Sequence, residues 1–336
     1  MTLDNWHYEL PDANIARHPA AQRTGSRLLH LSGRDIADRR FVDLPGLLAP
    51  GDLLVANDSR VMAARLFARR ATGARIQVLL LSPGPGRVKA LVRPLRRIKD
   101  GEQLTLEGGG TLKMWRSEGG LAEVLLDADP AEVMATQGEM PLPPYFHREA
   151  LPEDTERYQT VYASPLGSAA APTAGLHFTS ELIADLRQRG VGFSTVTLHV
   201  GLGTFKPLTD AAISSGELHE EAWSVPLDTA NAIASTRAAG GRVIAVGTTA
   251  TRALESATPM GGHLPALGSG QTRLFIRPGY SFRSIDGLIT NFHLPRSSLL
   301  MLVGAMTGRE RLLEAYAHAV DSGYRFYSYG DAMLIL

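Results

Sequence analysis

The chain predicts an α/β main domain with an inserted small antiparallel β-barrel domain, and three features of its 336 residues carry that expectation. Between about Ala63 and Gly138, short β-like runs follow one another with turns between them and almost no helical pattern, as in a small barrel. After Pro141, strand-like apolar runs alternate with helix-like ones, which is α/β texture. Ahead of both, the stretch to about Val61 carries a strand candidate, Asp52-Leu-Leu-Val-Ala56, ending in the polar turn Asn57-Asp-Ser-Arg60. The length suits about two domains. The pattern alone leaves the first sixty residues free to form a lobe of their own or to join the C-terminal half.

Five strands are expected in the barrel segment, at 75–81, 88–92, 103–106, 111–115 and 121–126, separated by Pro83-Gly-Pro-Gly86 and Gly108-Gly-Gly110. Beyond it, Thr179 is placed to cap a helix reaching about Arg189, with Gly190 as its stop, and a strand over 191–200 follows. Asp228 reads as the cap of a helix over 229–239, ended by Gly240-Gly241. A strand at 242–246 then turns through Gly247-Thr-Thr249 into a helix containing Arg252 and Glu255. Strands at 272–276 and 287–291 precede helices at 297–306 and 309–322. Residues 298–303 are apolar nearly all round, so their helix is expected to be buried.

The apolar share of 44% is ordinary for a globular chain and excludes a disordered one. Cysteine is absent, which excludes disulfides, thiolate metal sites and cysteine nucleophiles. The start, Met-Thr-Leu-Asp-Asn-Trp, has neither a basic n-region nor an apolar h-region, and no apolar stretch is long enough to span a bilayer. A cytoplasmic protein with no membrane contact is expected, monomeric by default. Net charge is zero, which speaks against a nucleic-acid binder, but the charge is unevenly spread. From Arg60 to Asp100, eleven Lys/Arg residues, among them Arg69, Arg70, Arg93, Arg96 and Arg97, stand against one acid. From Gly101 to Thr160 the balance reverses, with twelve acids against four bases. Such a basic block is either a footprint for RNA phosphates or the solvated face of a β domain.

Three histidines stand at the ends of β-like runs beside Gly or Pro: His177 in Ala171-Pro-Thr-Ala-Gly-Leu-His177, His199 in Val196-Thr-Leu-His199-Val-Gly, and His293 in Asn291-Phe-His293-Leu-Pro295. A strand end followed by a turn is where a rigid scaffold holds a polar group against a ligand. Taken singly, each also reads as a hydrogen-bonded structural residue. Alternation puts Thr195, Thr197 and His199 on one face of their strand, opening onto Gly201 and Gly203-Thr204, where the backbone can approach a ligand without a Cβ in the way. Phe205-Lys-Pro207 follows instead of a helix, so a Rossmann fingerprint is incomplete. Thr173 and Gly175 form a second small-residue turn. Thr248 and Thr249 open a helix whose N-terminus suits a carboxylate or a phosphate, with Arg252 one turn in. Asp58, two residues from Arg60, is either a catalytic carboxylate or a turn-capping Asx. No metal motif is found, since His219-Glu220-Glu221 has no partner histidine one turn on.

These segments resemble the signature blocks of the S-adenosylmethionine:tRNA ribosyltransferase-isomerase family of queuosine synthesis. The resemblance extends to Tyr8-Glu-Leu-Pro11, Ser26-Arg-Leu-Leu29, Gly51-Asp-Leu-Leu54, Met140-Pro-Leu-Pro-Pro-Tyr145, Arg157-Tyr-Gln-Thr-Val-Tyr-Ala163, Pro278-Gly-Tyr280 and Tyr329-Gly-Asp-Ala-Met333, in the family's order over nearly the whole chain. Ser59 stands where Thr is expected and Gln77 where the family often carries Glu. The resemblance implies that residues 1–62 join 141–336 in one discontinuous α/β domain, with 63–140 inserted as a barrel whose basic block is the candidate RNA contact. It also implies transfer and isomerisation of the ribosyl group of S-adenosylmethionine onto 7-aminomethyl-7-deazaguanine at the wobble position of a tRNA with a GUN anticodon. The implied products are epoxyqueuosine, adenine and methionine, with no metal and no cofactor beyond S-adenosylmethionine as co-substrate.

Such a route requires a base near the 5′ carbon beside the sulfonium, a proton donor for adenine, and exclusion of water. His177 or His199 is expected to be that base, with Asp58 competing. His293 and Asn291 are candidates to bond adenine or ribose hydroxyls. The 141–144 stretch and the 157–162 segment are expected to border the flipped base, with Tyr158 or Tyr162 stacking on it unless they are core residues. Two other readings predict different outcomes. An S-adenosylmethionine-dependent RNA methyltransferase would release S-adenosylhomocysteine, and a non-catalytic RNA-binding module would bind without turnover.

Overall fold

The computed structural model describes residues 3–201 and 208–336. The chain first forms β1 (Arg27–Ser32), β2 (Asp35–Arg40), β3 (Leu53–Asn57) and the short β4 (Arg60–Val61). Six strands follow, β5 (Arg65–Arg69), β6 (Arg75–Leu80), β7 (Arg87–Arg93), β8 (Glu102–Leu106), β9 (Thr111–Arg116) and β10 (Ala122–Leu126). Helices α1 (Pro130–Gln137) and α2 (Asp154–Arg157) lead to β11 (Leu166–Ser168), α3 (Ser180–Gln188), β12 (Gly192–Leu198), α4 (Asp210–Ser215) and β13 (Glu217–Val225). The remainder is α5 (Leu227–Ala238), β14 (Val243–Val246), α6 (Thr248–Ala257), β15 (Gly268–Leu274), β16 (Gly287–Asn291), α7 (Ser298–Thr307), α8 (Arg309–Asp321) and β17 (Ala332–Ile335).

Nine strands build one mixed sheet in the order β15-β13-β12-β3-β14-β16-β17-β1-β2. Its centre, β12-β3-β14-β16, is parallel throughout. All five residues of β3 are buried, as a strand covered on both faces must be. On one face Val55, Val243 and Ala245 pack with Ile233 of α5 and Ala250, Ala253 and Leu254 of α6. On the other, Leu54, Ala56 and Ile244 pack with Leu182, Ile183 and Leu186 of α3. The N-terminal segment thus supplies the central strand of the C-terminal α/β half. The α7 helix is interior as expected, and a Cβ on its Gly304 would collide with the Trp6 ring.

The strands β5–β10 close into an antiparallel barrel. It has six strands where five were expected, because β5 is bounded by arginines and lacks an apolar run. Alternation nevertheless buries its Leu66 and Ala68, and outward Phe67 is covered by the Arg75 guanidinium 3.7 Å from the ring centroid. Thr179 caps α3 as expected, accepting a hydrogen bond from Leu182 N–H. Asp228 does not cap α5: the helix starts a residue before it, with Pro226 at the cap position and no side-chain cap bond. The strand expected at 272–276 is β15, at Gly268–Leu274, where register with β13 sets its limits. No described helix is long and apolar enough to cross a membrane.

Candidate active site at the carboxyl ends of the central strands

Because β12, β3, β14 and β16 run parallel, Asp58, His199, Thr248-Thr249 and Asn291 all fall at one edge of the sheet. In open α/β sheets ligands bind at that edge. Asn57 fastens the ends of β3 and β12: its Nδ2 donates to Leu198 O at 2.9 Å, and its Oδ1 accepts from Leu198 N–H at 3.0 Å and Ser59 N–H at 3.1 Å. Ser59 and Ser168 share a 2.7 Å hydroxyl bond, and Ser168 Oγ accepts Val200 N–H at 3.0 Å. On this web the Thr197 hydroxyl donates to Asp58 Oδ1 at 2.7 Å. His199, one step on, is half-buried, and its Nδ1 is buried without a partner. Burial pushes its pKa below the ordinary histidine value, while the Asp58 charge pulls it back up. Gly167, at φ 152°, lies against this ring; a Cβ there would sit 2.7 Å from Nδ1.

The other two histidines are interior groups, His177 bonded through both nitrogens and His293 through Nε2. His177 Nδ1 is 2.7 Å from Ser26 Oγ, its Nε2 is 3.3 Å from Asn291 Nδ2, and its ring stacks on Phe41 at 4.9 Å. His293 Nε2 meets Thr290 Oγ1 at 2.7 Å. Burial pushes both down to about 3, so each is a neutral, weakly basic ring at neutral pH. Asn291 is committed to His177 and to Tyr327 O, while its Oδ1 is buried and unpartnered.

Thr248 and Thr249 lie inside the first turn of α6, behind Gly247 at φ 93°. Thr249 Oγ1 is buried with no partner. Arg252 is not a free cation. It forms a buried ion pair with Glu221 and donates through Nε to Leu274 O, leaving Nη2 unpartnered. Glu221 also accepts Gly201 N–H at 3.0 Å, tying the start of the glycine turn to α6. Sequence reading passed over Glu221 because it was tested only as a zinc ligand; an acid within a strand was the available signal. Gly203 and Thr204 lie outside the described residues.

Thr173 and Gly175 form the turn ahead of His177, and a Cβ on Gly175 would collide with the Tyr162 hydroxyl. That hydroxyl is buried and unpartnered, within electrostatic reach of Asp58 and Arg23. Tyr158 is fully buried against Phe146 and Tyr329, and Leu142 of the proline-rich stretch belongs to the same core. A base cannot stack on Tyr158 in this arrangement.

The basic block is partly self-neutralised, because the barrel pairs its bases with acids from later strands. Arg70 bonds Glu102, Arg69 and Arg75 share Glu107, and Arg87 meets Glu123. Arg60, Arg93, Arg96 and Arg97 are exposed and have no ion pair among the described residues.

A family model described as queuosine biosynthesis protein matches residues 3–335. A relative from Gloeobacter violaceus is 51% identical over 338 residues, covering 99% of this chain and 95% of its own. Another, from Moorella thermoacetica, is 49% identical over 346 residues and fully covered on both sides. Both are named S-adenosylmethionine:tRNA ribosyltransferase-isomerase. A crystal structure of S-adenosylmethionine tRNA ribosyltransferase from Thermotoga maritima is 36% identical with a TM-score of 0.56, spanning 99% of this chain and 100% of that one. Whole-length identity at this level, on a sheet-and-barrel architecture, places the chain in the queuosine biosynthesis protein family of transferase-isomerase enzymes.

Proposed function

We propose that this enzyme transfers and isomerises the ribosyl group of S-adenosylmethionine onto 7-aminomethyl-7-deazaguanine at the wobble position of tRNA, with His199 as the general base. Family membership over the whole chain supports the reaction class. The single geometric observation behind the base assignment is the orphaned, buried Nδ1 of His199 beside Asp58. His177 has both ring nitrogens bonded, and His293 is buried with its Nε2 on Thr290.

In this reading neutral His199 removes a proton from the 5′ carbon beside the sulfonium, where the adjacent positive charge makes the C–H acidic. The Asp58 carboxylate, held by Thr197, stabilises the imidazolium that forms and resists its desolvation. Loss of adenine opens the ribose, the deazaguanine aminomethyl nitrogen attacks the resulting electrophile, and epoxide closure expels methionine. The Thr249 hydroxyl and the first-turn N–H groups of α6 are suited to the methionine carboxylate. The protein works by positioning, by holding one proton, and by excluding water from reactive intermediates.

Product analysis with S-adenosylmethionine and an anticodon stem-loop carrying the deazaguanine tests the reaction. Adenine and methionine are expected together, and only with the modified RNA. S-adenosylhomocysteine would instead mean methyl transfer and would overturn the proposal.

A further inference from the structure

Beside this edge, with His177 in its wall, lies a small cavity that the proposed chemistry does not use. It is lined by Arg23, Arg157 and Arg325 together with Ser26 and Ser328. The topology explains its position. β17 runs antiparallel to β16 with Ala332 opposite Asn291, and β1 pairs parallel to β17 with Leu28 opposite Ala332. The residues just ahead of β1 and β17 therefore sit at the same sheet edge as Asn291.

Backbone carbonyls rather than carboxylates hold the three guanidinium groups. Arg23 donates to Leu176 O and Glu156 O, Arg157 to Ala20 O and Ala21 O, and Arg325 to His18 O and Tyr329 O. Among the described residues, none of the three has a carboxylate at ion-pair distance. Each guanidinium carries five N–H donors, so backbone carbonyls leave donors over in every case, and Arg157 Nε is buried with no partner. Burial, and after it the nearby Arg157 charge, hold Arg23 below its ordinary value, with Glu156 opposing the shift. Asp331 is near, but its oxygens accept the backbone N–H groups of Arg27 and Arg325.

We propose that Arg23, Arg157 and Arg325 form a phosphate site that grips one phosphodiester of the substrate RNA next to the reacting nucleotide. The site is sized for the oxygens of one anion rather than for a base, with a cavity volume of about 20 Å³. Three cations suit RNA better than S-adenosylmethionine, whose sulfonium and ammonium outweigh its single carboxylate. Guanidinium forks match phosphate geometry. Arg23 lies within electrostatic reach of Tyr162, which also senses Asp58. The RNA assignment rests on the reaction proposed above.

The test substitutes Arg23→Gln, Arg157→Gln and Arg325→Gln, with Arg325→Lys keeping the charge. Affinity for the anticodon stem-loop is measured by anisotropy over a salt series, and affinity for S-adenosylmethionine alone by calorimetry. Each Gln variant is expected to weaken stem-loop binding about tenfold and to flatten the log–log salt slope by about one, with Arg325→Lys in between and S-adenosylmethionine affinity unchanged. Unchanged stem-loop affinity and slope in all three overturns the site, as does loss of S-adenosylmethionine affinity alone. Because these side chains also hold backbone carbonyls, a second measurement needs no variant: phenylglyoxal labelling of the native protein, read by peptide mass. Protection of the three arginines by the stem-loop supports the site, and equal labelling overturns it. Protection without release of adenine and methionine would instead sink the reaction and leave the site standing.

Discussion

His177, His199 and His293 share a sequence context but differ in what their nitrogens face. The two rings that bond Ser26, Asn291 and Thr290 are parts of the interior, and their depressed basicity follows from burial. His199 alone of the three keeps an unpartnered nitrogen beside a carboxylate. Its pKa lies below the usual histidine value, so the ring is neutral at pH 7 and gains a proton only in more acidic solution. The kcat/KM profile is therefore expected to fall on an acidic limb centred below pH ~6.5, and His199→Gln to remove that limb along with roughly a hundredfold or more of the rate. A limb unchanged in His199→Gln would transfer the role to another group. Gly167→Ala drives a methyl group into the same ring; about a hundredfold loss in kcat is expected, with stem-loop affinity unaltered in a binding assay.

At the scale of elements, the site depends on strand ends being pinned in register. Asn57 makes three buried hydrogen bonds, two of which join β3 to β12 while the third holds the turn at Ser59. At about 1 kcal/mol each, Asn57→Ala is expected to lower unfolding stability by about 3 kcal/mol, read from a urea transition. Much of this level was legible in the sequence. The Thr179 cap, the Gly247 turn and the all-apolar α7 each follow from local chemistry that the fold leaves intact. β5 escaped notice because arginines mask its alternation, and Asp228 misled because α5 already starts at Leu227, behind Pro226 at the cap position. The Glu221–Arg252 pair was illegible for a different reason: it joins residues of β13 and α6 across the sheet edge, and local pattern holds no record of such contacts.

For the molecule as a whole, charge has to be counted after folding. The run of bases before Asp100 looks like one RNA surface, yet the antiparallel barrel brings Glu102, Glu107 and Glu123 onto Arg69, Arg70, Arg75 and Arg87. What stays exposed and without an ion pair among the described residues includes Arg60, Lys89 and the group Arg93, Arg96, Arg97 and Lys99. A double Arg96→Gln/Arg97→Gln variant is expected to weaken stem-loop binding and flatten its salt slope by up to about two, while Arg69→Gln has little effect; equal losses from both would contradict this sorting. The α/β texture after Pro141 and the barrel before it were readable from periodicity. That β3 threads the middle of the C-terminal sheet was not, because strand order lies in long-range pairing. The central claim is that His199 takes the 5′ proton of S-adenosylmethionine, and release of label from 5′-tritiated S-adenosylmethionine into water tests it most directly. The intact enzyme is predicted to release tritium in step with adenine when modified stem-loop is present, and His199→Ala to release neither while still binding RNA. Tritium release by His199→Ala at the intact rate would contradict the account.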